Sequence, residues 1–225
     1  MIRYEGVNKR YGKVVALEDL SLKIDQGEFA FIVGESGAGK STLIKLLNKE
    51  ENPDSGKIYF NGKDITKVPK RLVPKIRQSI GMVFQDFRLL DNMTVYENIE
   101  YALSIIGVSK KEKKKRIDQA LKLVKLEDRK KAYPNELSGG EQQRVSIARA
   151  LSTKPNVIIA DEPTGNLDPV TSQNIVDNLM RINEEGITIV MITHEREIVN
   201  NSHKRVIHIR DGKIISDEED GVYDV

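Results

Sequence analysis

Residues 34–41 read GESGAGKS, glycines spaced ahead of a Lys-Ser pair, and this spacing suits the binding of phosphate. Glycine lets successive backbone N–H groups turn inward around phosphate oxygens, and a helix that starts there adds its dipole. Lys40 is then expected to reach the β- and γ-phosphates of a nucleotide, and the Ser41 hydroxyl to ligate Mg2+. A glycine-rich surface turn is the competing reading. It is disfavoured by the setting, an apolar strand before the loop and a helical pattern after it.

Two carboxylates close the apolar run NVIIADE. Asp161 can hold Mg2+ directly or through water, and Glu162, one residue further on, can polarise an attacking water. By themselves the two could equally cap a strand and start the turn PTGNLDP; the phosphate loop elsewhere in the chain favours catalysis. His194 follows the run ITIVMIT and so also stands at the C-terminal end of a strand, whereas His203 and His208 have no such setting. Gln85 ends IGMVFQ, where a neutral amide could touch Mg2+ or water. Tyr11 could stack on an adenine ring, because a π-face offers area at low entropic cost, and ordinary packing fits it equally well.

These groups need strands and helices to hold them. The first third alternates short β-rich runs, IRYEGV, LEDLSLKI, GEFAFIVG and GKIYFNGKDI, with Gly-Lys, Gln-Gly and Asn-Gly turns, which predicts antiparallel and mixed sheet. FAFIV at 29–33 is apolar throughout, as in a strand buried on both faces, and it runs through the glycine loop into the helical STLIKLLNK. From about 87 to 152 the pattern is helical: TVYENIEYALSII, SKKEKKKRIDQALKLVKLED and GGEQQRVSIARALS. In the second of these, Ile117, Ala120, Leu121 and Val124 recur at helical spacing, and Ser109 with Glu112 has the form of a capping box. NVIIADE and ITIVMITHE, with a helix between them from about 170 to 183, imply a parallel sheet whose chemistry lies at the C-terminal strand ends.

Composition narrows the partners. The 225 residues carry 36 Lys plus Arg against 34 Asp plus Glu, a formal charge of +2, so no global field points to nucleic acid or an anionic membrane. Cysteine is absent, which excludes disulfides and thiolate metal sites and suits a reducing compartment. The N-terminus lacks an apolar core of signal-peptide length, and no apolar run approaches the ~20 residues that span a bilayer, so a membrane role must come through a partner or a surface contact. The basic run KKEKKKR at 110–116 opens an amphipathic helix and reads as a solvated face; no nucleic acid is expected as a partner.

A second phosphate-like turn, NELSGGEQQR, remains. Ser138 and Glu141 spell S-x-x-E, so Gly139 and Gly140 sit at a capped helix N-terminus whose N–H groups and dipole favour an anion. Taken with GESGAGKS, Gln85, VIIADEPTGNLD and His194 in this order, the chain resembles the ABC ATPase family over nearly its whole length. The resemblance implies a single α/β domain of the P-loop NTPase (RecA-like) type, with an N-terminal antiparallel β subdomain. Residues 1–86 and 153–225 would form the nucleotide-binding core, and 87–152 an inserted helical subdomain.

The resemblance also implies ATP and Mg2+ as cofactors and a homodimer closed on ATP, each nucleotide lying between the phosphate loop of one copy and Ser138, Gly139 and Gly140 of the other. Tyr11 would stack on adenine, and Gly34, Glu35, Ser36, Gly37, Ala38, Gly39, Lys40, Ser41 and Thr42 would bind phosphates and metal. Asp161 would hold the metal, Gln85 would sense it and couple to an integral membrane subunit, Glu162 would activate water, Asp168 would lie in the loop crossing the dimer, and His194 would contact the γ-phosphate. Glu141 stands where the family more often has Gln, and Glu195 where Asp often follows the His. The subgroup resembled serves lipoprotein-release, macrolide-export and cell-division complexes, and VFQDFRLLDNMTVYENI is most similar to the cell-division branch. That branch implies transmembrane signalling to a peptidoglycan hydrolase or its activator from the cytoplasmic face of the membrane, with Phe87, Leu89 and Leu90 as docking anchors. The rival readings are a related exporter, a soluble family member acting on DNA or ribosomes, and a P-loop kinase.

Overall fold

The computed structural model describes residues 1–224. In chain order the elements are β1 (Ile2–Tyr11), β2 (Val14–Ile24), β3 (Phe29–Val33), α1 (Lys40–Leu47), β4 (Ser55–Phe60), β5 (Lys63–Asp64), α2 (Val73–Arg77), β6 (Ile80–Phe84), α3 (Val95–Ile105), α4 (Lys110–Leu123), α5 (Gly139–Ser152), β7 (Val157–Asp161), α6 (Pro169–Glu184), β8 (Thr188–Ile192), α7 (Arg196–Asn200), β9 (Arg205–Arg210) and β10 (Lys213–Glu218). They group into two compact units, one of residues 1–77 with the chain from Thr188 onward, the other of residues 78–187.

The first unit holds two sheets. One is antiparallel in the order β2–β1–β4–β5, its β4–β5 hairpin closed by Asn61 and Gly62, both at positive φ as a tight two-residue turn demands. In the other, β3 lies between β8 and β9, parallel to both, and β10 adds antiparallel to β9. Every residue of β3 and β8 is buried, in keeping with the unbroken apolar runs read from the sequence. The β9–β10 hairpin turns at Asp211 and Gly212, again both at positive φ.

The second unit pairs β6 with β7 in parallel and packs α3, α4 and α5 around a core that includes Ile99, Leu103, Ile117, Leu121, Val145 and Ile147, all fully buried. The apolar stripe of α4 lies inward and its lysines outward, as the spacing predicts. Its start departs from expectation: Ser109 occupies the N-cap position but its side chain makes no capping hydrogen bond. The Glu112 carboxylate turns instead to Arg116 at 3.0 Å and Lys154 at 3.5 Å. The capping box forms where α3 begins, with Thr94 and Glu97.

Candidate functional site

In the first unit the glycine loop joins the end of β3 to α1. A Cβ on Gly34 would stand 2.1 Å from the Ile209 carbonyl oxygen, and one on Gly39 would stand 2.4 Å from that of Ala16, so both positions admit only glycine. Gly37 faces open space, and there the requirement is conformational, φ being +83°. Glu35, Ser36 and Gly37 are exposed while Ala38 is buried, which turns the tip of the loop outward on a fixed base. The base is held from behind: the Gly212 N–H donates to the Ala38 carbonyl at 3.0 Å, and the Glu18 N–H to the Gly212 carbonyl at 3.0 Å. Lys40 Nζ donates to the carbonyls of Gly34 at 2.6 Å and Glu35 at 2.9 Å, so its charge lies over the first half of the loop. Ser41 is exposed and Thr42 buried, and the Tyr4 hydroxyl donates to the Leu43 carbonyl at 2.9 Å, tying α1 to β1.

Strand register places His194. Ile192 pairs with Ile32, so His194 and Gly34 each lie two residues beyond a matched pair, at the same end of adjacent parallel strands. His194 is exposed there, and Glu195 follows it with its N–H donating to Thr193 Oγ1 at 3.1 Å. Tyr11 is 38% exposed at the tip of the β1–β2 hairpin, with Lys9 Nζ 5.1 Å from its ring centre. His208 pairs with Val33 immediately before the loop and meets the Tyr223 ring edge-on. Burial, reinforced by Arg210, holds this imidazole below its usual pKa and so neutral at pH 7.

In the second unit β6 and β7 end side by side, Phe84 opposite Asp161, so Gln85 and Glu162 leave neighbouring strand ends. Asp161 and Glu162 are half-buried, and Glu162 is held at φ +49°, a left-handed conformation that costs a non-glycine residue about 1–3 kcal/mol. Gln85 Nε2 donates to Asn166 Oδ1 at 3.3 Å, and a Cβ on Gly165 would strike that amide at 2.8 Å. The loop beyond Gln85 is braced at several points. Phe87 and Arg88 both have positive φ, and the Arg149 guanidinium donates to both their carbonyls. The buried Asn98 side chain accepts from Leu90 N–H at 2.8 Å and donates to the carbonyls of Leu90, Met93 and Thr94. Of the expected docking anchors, Leu90 is exposed while Phe87 and Leu89 are half-buried.

The capping box at the second glycine turn forms as the S-x-x-E pattern predicts. Ser138 Oγ accepts from the Glu141 N–H at 3.3 Å, and Glu141 Oε2 accepts from the Ser138 N–H at 2.9 Å. Glu141 Oε1 meets Arg129 Nε at 3.0 Å; the Ser138 hydrogen bonds foremost, with Arg129, hold this carboxyl below the usual range. A Cβ on Gly140 would lie 2.4 Å from Thr171 Cγ2, and one on Gly139 3.1 Å from Leu167 Cδ2, so the turn packs against residues 167–171. Asp168 within that segment caps α6, accepting from the Thr171 N–H at 3.0 Å.

Three residues escaped the sequence reading. Gly212 had a signal in the Asp-Gly pair between two β-rich runs. Gln143 and Arg149, whose partners lie 20 to 62 residues away, had none.

Residues 17–165 match the family model described as ABC transporter. The chain belongs to the ABC transporter ATPase family: it is an ATP-binding and ATP-hydrolysing cassette with an α/β P-loop NTPase fold. Within the family it is 50% identical over 224 residues to the cell division ATP-binding protein FtsE of Bacillus subtilis, covering 99% of this chain and 98% of that one. FtsE of Streptococcus pneumoniae strain D39 is 48% identical, with 99% and 97% covered. The methionine import ATP-binding protein MetN of Halalkalibacterium halodurans is 47% identical over 230 residues, covering 100% of this chain and 68% of that protein. Among solved structures, the dimeric post-hydrolysis ATP-binding cassette MJ0796 bound to ADP and Pi is similar with a TM-score of 0.85 at 36% identity, covering 99% and 100% of the two chains. Among the described residues, no helix is long and apolar enough to cross a membrane.

Proposed function

We propose that this chain is the ATPase of an FtsE-type cell-division complex. Two copies close on two ATP, and the motion passes to an FtsX-like integral membrane subunit that signals across the membrane to a peptidoglycan hydrolase or its activator. The observation that carries the two-copy mechanism is the second glycine turn. It is a capped helix start with an anion-favouring dipole, and the chain's own phosphate loop already serves one nucleotide. The MJ0796 cassette, described as dimeric with ADP and Pi, supports the same arrangement, and near-full-length identity to FtsE supports the cell-division assignment.

In this reading residues 34–42 hold the phosphates, with Lys40 neutralising their charge. Tyr11 offers its exposed face to the adenine, and His194 donates to the γ-phosphate. Glu162 takes a proton from the attacking water, and its left-handed backbone is the strain expected where a carboxylate is aimed rather than relaxed. Mg2+ fits the donor set, since Ser41, Asp161 and Gln85 offer only hard oxygens, and when bound it would neutralise charge on the phosphates. Residues 87–152 form the helical segment that carries Ser138–Gly140, the docking surface at 85–90 lies at its start, and the protein sits at the cytoplasmic face of the membrane through its partner.

The test uses two variants of the full chain. Glu162→Gln should bind ATP, accumulate an ATP-bound dimer and lose about 10²–10⁴ in turnover; Ser138→Arg should keep ATP binding to the phosphate loop yet neither dimerise nor hydrolyse. Normal turnover in Ser138→Arg overturns the two-copy mechanism, and recovery of a long substrate-binding permease with the wild-type chain replaces the cell-division partner with an exporter.

A further inference from the structure

Gln143 lies in the second turn of α5 and is fully buried. Its Nε2 donates to the Pro163 carbonyl at 2.6 Å and to the Phe84 carbonyl at 3.2 Å. Pro163 directly follows Glu162, and Phe84 directly precedes Gln85. One amide group therefore bridges the two strand ends that carry the water-activating and metal-sensing residues, using both of its hydrogens. The other end of the amide, Oε1, is buried and has no hydrogen-bond partner among the described residues. Rotating the amide to satisfy that oxygen would set it against two carbonyl oxygens, so the chemistry fixes the orientation.

The same helix begins at Ser138–Gly140, one turn earlier, where Gly140 packs too closely on Thr171 for an added carbon and a Cβ on Gly139 would lie 3.1 Å from Leu167 Cδ2. A shift at the start of α5 therefore has little slack to absorb it. We infer that Gln143 is a positioning residue that couples the second glycine turn to Gln85 and Glu162 of the same copy. Resting on the two-copy reading, this means that ATP gripped by Ser138–Gly140, which belongs to the partner's phosphate loop, sets the geometry of this copy's own hydrolytic residues. Glutamine suits the task because it is neutral, offers two donors on one nitrogen and has the length to reach both carbonyls. Glutamate at neutral pH would offer none.

The test compares Gln143→Met, which keeps the volume and removes both donors, with Gln143→Glu and the parent, each as the full chain with its co-purified membrane partner. Steady-state hydrolysis against ATP concentration, ADP affinity and melting temperature are measured together. Both variants should bind ADP within about two-fold of the parent and keep a comparable ATP half-saturation, because the phosphate loop is untouched, while kcat falls about 10–100-fold, as expected for misplaced reacting groups. The Hill coefficient should drop from about 2, its limit for two sites, toward 1. Parent-like kcat and cooperativity in a folded Gln143→Met overturn the inference, and so does a loss of kcat matched by an equal loss of ADP affinity. A non-cooperative parent with no ATP-dependent dimer overturns the two-copy reading and the coupling with it. A parent that dimerises on ATP while the variants stay cooperative overturns the coupling alone.

Discussion

Two glycines at hairpin tips allow the support of the phosphate loop to be measured. Gly62 and Gly212 have nearly the same φ, +74° and +75°, but a Cβ on Gly62 meets nothing within 4 Å, whereas one on Gly212 stands 2.8 Å from the Ala16 carbonyl oxygen and 2.9 Å from Leu17 Cα. Gly62→Ala should therefore bear only the left-handed strain, about 1–2 kcal/mol. Gly212→Ala bears the same strain and must also open those contacts by about half an ångström against β2 backbone, which is laddered to β1 and cannot yield; overpacking of this kind adds about 1–3 kcal/mol. At ~2–4 °C per kcal/mol for a chain of this size, Gly212→Ala should melt a further ~2–12 °C below Gly62→Ala.

The displaced turn also loosens the hydrogen bond from Gly212 to Ala38. The phosphate loop must then be ordered by its ligand, and a bond of about 0.5–1.5 kcal/mol corresponds to ADP affinity weakened ~2–10-fold. Thermal melts and titration calorimetry with ADP on both variants check the two effects. Equal melting temperatures and equal ADP affinities would refute the argument that the β9–β10 turn supports the loop.

Glu141→Gln should keep the capping box, because glutamine also completes one, but it should lose at neutral pH the stabilisation that the charged carboxylate draws from Ser138 and Arg129, and so flatten the acid limb of stability. The Glu141 carboxyl is held below its unfolded value, so its stabilisation is present above about pH 4.3 and lost as pH falls through the lower folded value; urea midpoints from pH 6 to 3 for both proteins measure this. Asn98→Ala should leave the Leu90 N–H without its acceptor and take one hydrogen bond from each of the carbonyls of Leu90, Met93 and Thr94, of which those of Leu90 and Thr94 keep a backbone N–H donor, destabilising the second unit by about 1–3 kcal/mol. Hydrogen exchange should accelerate first at the Leu90 amide, and unchanged protection there would show that Asn98 does not hold the loop.

The sequence by itself determined the features whose physics closes within a few residues. GESGAGKS between an apolar strand and a helix is a local matter of backbone sterics, and the Ser138–Glu141 cap is a local hydrogen-bond exchange; the strand–loop–helix order and the cap both stand in the structure as read. The same S-x-x-E pattern at Ser109 did not form a cap; there Glu112 turns to Arg116 and Lys154, and Lys154 is brought there only by the fold. Tertiary structure alone decided that Gly212 backs the phosphate loop and that Gln143 spans the ends of β6 and β7. In each case the deciding quantity is a distance between segments far apart in the chain: steric exclusion at 2.8 Å or a hydrogen bond at 2.6 Å acts on neighbours in space, and residue spacing along the chain carries no record of which neighbours those will be.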